Sequence, residues 1–91
     1  MVVGKNTFRV TLEDPAGQPV SDAQVSLILD LPAWPIKRMP EIREAVRLDA
    51  AGEGAYQGSG FVPMAGQWQV TVVAKRFARE IGRRTLTVPA Q

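Results

Sequence analysis

The chain has 91 residues, 45% of them apolar, with eleven Lys and Arg against nine Asp and Glu for a net charge of +2. That length is one domain, able to bury roughly 60–65% of the surface its unfolded form exposes, and so mild a charge predicts no nucleic-acid partner. With no Cys and no His, a disulfide framework, a thiolate nucleophile, a zinc finger and a Ser-His dyad are all excluded.

No apolar run approaches the roughly 20 residues of a membrane-spanning helix. The start, MVVGKNTF, lacks the charged-then-apolar order of a signal peptide. The chain is therefore read as soluble as given, and its abrupt entry into a strand at Thr7 is what a piece trimmed from a longer protein would show.

Along the chain the apolar period is two. Thr7–Glu13 places Phe8, Val10 and Leu12 on one face, and Asp14-Pro15-Ala16-Gly17-Gln18-Pro19 is a turn. Ala23–Leu31 turns Ala23, Val25, Leu27, Leu29 and Leu31 inward, with Gln24, Ser26 and Asp30 outward. Pro32, Pro35 and Pro40 then exclude a central strand or regular helix from LPAWPIKRMPE. Glu44–Ala50 reads as a strand with Val46 and Leu48 inward, although Glu41–Arg47 also has helical spacing and a helical turn after Pro40 is the alternative.

Ala51–Gly54 is a hairpin connection, followed by a strand over Ala55–Gly60 anchored by Tyr56 and weakened by two glycines. Pro63-Met64-Ala65-Gly66 turns the chain into the cleanest strand, Gln67–Lys75, with Trp68, Val70, Val72 and Ala74 inward. A basic connection over 76–80 leads to a last strand at about Ile81–Val88, whose parity breaks near Gly82 and predicts a bulge at Gly82-Arg83. Six to seven short strands with turn signals between them predict an all-β fold, an immunoglobulin-like antiparallel β-sandwich. Its expected core is Phe8, Val25, Leu27, Tyr56, Trp68 and Val70, with Val10, Leu12, Leu29, Leu48, Val72, Leu86 and Val88.

Two segments carry a family resemblance. Asn6–Leu29 reads N-x-F-x-V-x-L-x-D-x-x-G-x-P-V-x-x-A-x-V-x-L-x-L, a pattern shared with other sandwich domains; Gly54–Val70 holds the sharper Met64-Ala65-Gly66-x-Trp68 corner. Together, over roughly residues 6 to 88, they resemble the YtkA-like domains. The resemblance implies a single extracytoplasmic or periplasmic β-sandwich, related to FixH-like proteins and associated with copper proteins of the CopC/CopD type. It also implies a non-enzymatic binding or interaction module within a copper-handling or membrane-associated parent, with a protein partner or neighbouring domains. The alternative is a structural spacer of a multidomain surface protein. Relatives carry a Met-rich loop between the second and third strands; here that region keeps Met39-Pro40 but has Ile42 where a further Met is expected.

The candidate residues follow from these readings. Met39 and Met64 are the thioethers that would hold Cu(I), against the plainer roles of loop hydrophobe and core filler. Trp34, between prolines, is either a rigid interface anchor or a cap over one end of the sandwich; with Ile36, Arg38 and Glu41 it makes up the candidate partner surface. Glu41 and Glu44 share a face only in a helix and lack a nucleophile, so no acid–base pair is expected. Lys75, Arg76, Arg79, Arg83 and Arg84 cluster around Phe77. That cluster fits anionic headgroups or an acidic partner, but a charged tip that discourages edge pairing is the preferred reading.

Overall fold

The structure is a computed structural model that describes residues 1–33, Arg38 and 40–91. Six strands follow in order: β1 Gly4–Thr11, β2 Gln24–Leu31, β3 Ile42–Gly52, β4 Ala55–Val62, β5 Gly66–Arg76 and β6 Arg79–Ala90. All pairings are antiparallel, and the spatial order is β1-β4-β3-β2-β5-β6. The all-β expectation holds, and no helix occurs among the described residues.

The strands form one continuous sheet rather than two separate ones. β3 makes the join: Ile42 to Leu48 pair with β2, and Asp49 to Gly52 pair with β4 across a register shift at Ala50–Gly52. The extra residue, Ala51, lets the strand bend as it changes partner. The sheet curls around a single core in which Val25, Leu27, Leu29, Val46, Leu48, Tyr56, Val62, Trp68 and Val70 are buried. Phe8, Val10 and Leu12 of β1 pack against that cluster half-buried. The helical alternative after Pro40 is overturned, because Ile42 already pairs with Leu31.

Several core expectations need correction. Leu86 was placed inside but is 43% exposed. It lies beside the open gap between the edge strands β1 and β6, where Val10, Leu12, Val72 and Arg84 line a cavity of about 320 Å³; without a strand pairing across that gap, inward residues there stay partly wet. Val73, absent from the expected core, is 4% exposed. Its register neighbours are Ser26 and Arg83. Val62, beyond the expected end of its strand, is fully buried. Asp30 is half-buried rather than solvated, with a shielded Oδ1 that has no hydrogen-bond partner among the described residues.

Gly60, read as a weakness, is a packing requirement. A Cβ there would lie 2.5 Å from Val46 Cγ2 and 3.2 Å from the Phe8 ring, so the missing side chain lets β1 and β3 residues meet over β4. The expected bulge in β6 occurs one residue early: Ala74 faces Gly82 and Lys75 faces Glu80, leaving Ile81 unpaired.

Candidate functional site

At one end of the sheet, β2 leaves at Leu31 and the chain returns at Ile42 to open β3. The corner between β4 and β5 lies at the same end. There Leu31, Pro32, Ala33, Pro40, Met64, Ala65, Gly66 and Gln67 enclose an open, mainly apolar cavity of about 320 Å³. The prolines at both roots of the loop supply rigid apolar walls and no backbone donors at those positions.

The corner is held from below. Trp68 is fully buried, and its Nε1–H donates to the Met64 carbonyl at 3.0 Å, which satisfies a loop carbonyl from inside the core. Gly66 has φ +154°, and a Cβ on it would stand 2.9 Å from Leu31 Cδ1. Glycine is thus what allows the corner to seat against Leu31 and form the cavity floor.

Of the sequence-predicted residues, Met64 is half-buried, packs against the core and lines the cavity. Its thioether therefore serves as the filler of the plainer reading while remaining at a cavity wall. Arg38 is exposed in a turn with φ +55°, and Glu41 is exposed immediately before β3. Trp34, Ile36 and Met39 lie outside the described residues. The structure thus brings the loop roots and Met64 together in one place, a juxtaposition that spacing along the chain did not signal. Leu31, Pro32, Ala33 and Pro40 belong to the loop expected to carry the contact, and the lining residues that reasoning from sequence missed are Ala65, Gly66 and Gln67. Their signal was present only as a proline-flanked exit facing a Pro-Met-Ala-Gly corner.

At the opposite end, Asp14 and Asp22 have structural work. Asp14 Oδ1 accepts from the Ala16 and Gln18 amides, each at 2.9 Å, which closes its own turn. Asp22 pairs with Arg76, whose Nε donates to it at 2.9 Å. The Tyr56 hydroxyl donates to the Val20 carbonyl at 2.7 Å and accepts from the Ala23 amide at 3.1 Å. On β6, Arg83 donates to Glu80 Oε1 at 2.8 Å, and that hydrogen bond is the first cause holding the Glu80 carboxyl below its ordinary value. Among the described residues no group of three or more Asp and Glu is arranged to hold a metal ion, and no helix is long and apolar enough to cross a membrane.

The YtkA-like family profile matches residues 1–73, a span that includes β1 to β4, the Met64–Trp68 corner and most of β5. The chain belongs to the YtkA-like family. The family match stops short of the expected residue 88, so the end of β5, the β5–β6 turn and β6 lie beyond it. A search of curated proteins finds no match. Among solved structures, a crystal structure of a putative glycoside hydrolase from Bacteroides vulgatus is similar at a TM-score of 0.55 and 17% identity, over 97% of this YtkA-like chain. The chain spans 15% of the length of that protein. At this identity the similarity concerns the fold alone.

Proposed function

We propose that this YtkA-like domain is a non-catalytic interaction module whose contact surface is the apolar cavity at the Met64 end, together with the loop it borders. The observation that carries this reading is the convergence of Leu31, Pro32, Pro40, Met64 and Gly66 on one open cavity. Apolar concavities with few polar groups are the usual seats of recognition. Trp34, Ile36, Arg38 and Glu41, in the loop rooted there, are the partner-facing residues of the proposal. The immunoglobulin-like description belongs to it too, with the β1–β4 half of the curled sheet acting as one layer and β2-β5-β6 as the other.

A neighbouring domain or protein of an extracytoplasmic parent is the partner that fits. Met1 and Gln91 meet at this end, where the Gln91 amide donates to Met1 O at 3.3 Å and the Val3 amide to Gln91 O at 3.1 Å. A parent chain continuing from both would enter and leave beside the cavity.

Copper handling is the narrower version of the proposal. The described cavity offers one thioether, Met64, whereas Cu(I) favours sets of soft donors; the residues described do not by themselves fit the ion. Titration of Cu(I) against a chelator of micromolar strength, with Met64→Leu and Met39→Leu as controls, tests it. Uptake that both variants abolish supports copper, and equal competition by all three proteins removes it. For the interaction itself, Ala65→Trp fills the mouth of the cavity from an exposed position. It is expected to abolish co-isolation of the partner while leaving the thermal melt unchanged, whereas Thr87→Trp on the outer face retains the partner.

A further inference from the structure

We propose that the β5–β6 hairpin tip is a docking element for an anionic lipid surface, with Phe77 entering the boundary between headgroups and acyl chains. The tip is a two-residue turn in which both central residues have positive φ, Phe77 at +52° and Ala78 at +63°. This is the type I′ geometry that Asn-Gly or Gly-Gly adopts readily and that residues with bulky side chains disfavour. Folding alone therefore selects against Phe at this position. Phe77 is also 92% exposed, so its ring contributes almost nothing to the core. Ile81, the unpaired bulge residue on the same hairpin, is 47% exposed.

The charges around the ring are cationic. Lys75, Arg76, Arg79, Arg83 and Arg84 stand against Glu80 in this stretch. Asp22 engages Arg76 and Glu80 engages Arg83, with Lys75 facing Glu80 across the register, which leaves Arg79 and Arg84 without an acidic partner among the described residues. An apolar point flanked by Arg76 and Arg79, with further cations along the hairpin, is complementary to an anionic leaflet, where acyl chains lie beneath negative headgroups. A protein partner fits less well. A convex tip led by one aromatic offers far less than the roughly 800 Å² per side of a stable protein interface, while a fluid bilayer needs no matching pocket.

The position sets this apart from the cavity. The hairpin tip lies beyond residues 1–73, the span that matches the family. Gln24, at the start of β2, pairs with Lys75, while Leu31, at its end, lines the cavity. At the strand rise the two ends are about 23 Å apart. Docking by the tip would leave the cavity directed away from the lipid.

Flotation of the 91-residue chain with vesicles tests this, using phosphatidylcholine alone and phosphatidylcholine with phosphatidylglycerol in equal parts. Binding is expected only to the anionic vesicles and should weaken as salt rises. Replacing Phe77-Ala78 by Asn-Gly removes the wedge and relieves the turn; it should lower partition about tenfold while raising the melting temperature. Lys75→Gln and Arg79→Gln should each lower partition about fivefold. Equal binding to both vesicle types, unchanged partition of the Asn-Gly variant, or no flotation together with Phe77-dependent capture of an acidic protein would each overturn the proposal.

Discussion

Trp68 and Tyr56 occupy the same kind of position at opposite ends of the core. Each is an almost fully buried aromatic whose one polar atom reaches out of the core to loop backbone, Trp68 to Met64 and Tyr56 to Val20 and Ala23. Alternation in the sequence placed both rings inside, because burial follows period. It gave no sign of the loops they hold, because those partners are set by where the corners fold back. Tyr56→Phe leaves a loop carbonyl and amide without their partner and should cost about 1–3 kcal/mol in urea denaturation. Trp68→Phe adds lost volume to a lost bond and should cost more than Tyr56→Phe. Glu80 carries the pH effect at this scale. Arg83 holds its carboxyl pKa below the ordinary value, so its favourable contribution is present above the ordinary carboxyl pKa and disappears as pH falls through the lowered one. Side-chain NMR titration should find Glu80 ionising below a free carboxyl, and Arg83→Gln should raise it, with Lys75 still favouring the charged form.

Strand existence was legible in the sequence; strand partnership was not. Val25, Leu27 and Leu29 announced β2 by parity, and the Pro63–Gly66 turn announced β5. Nothing in Ile42–Gly52 showed that its first part pairs with β2 and its last with β4, because a change of partner alters no side-chain period until the bulge at Ala51. The same limit moved the β6 bulge: parity located the break near Gly82, but the register assigns the unpaired residue to Ile81. Gly60 shows how an element's meaning changes with its neighbours. In an isolated strand Gly→Ala is expected to stabilise. Here the new Cβ meets Val46 and Phe8, so Gly60→Ala should destabilise by about 1–3 kcal/mol, read as a lower urea midpoint at unchanged slope.

In the whole molecule, the curled sheet separates two surfaces. One end gathers the loop roots, Met64 and both termini around a cavity; the other projects Phe77 on a strained turn. The sequence made the loop and Met64 legible as separate candidates, since each is distinctive by residue type. Their meeting depends on β2 and β5 lying side by side, which only the sheet order supplies. Exchange of Met64 for Leu nearly conserves volume and should cost less than about 1.5 kcal/mol of stability, so any larger loss of partner binding in that variant reports on the surface and not the fold. The most direct measurement is photo-crosslinking in the source cell, with the reactive group placed at Gln67 on the cavity rim and, separately, at Thr87 on the outer face of β6. The account predicts a discrete adduct with a neighbouring domain or partner protein from Gln67 and none from Thr87. An absence of adduct from Gln67, or the same adducts from both positions, would contradict it.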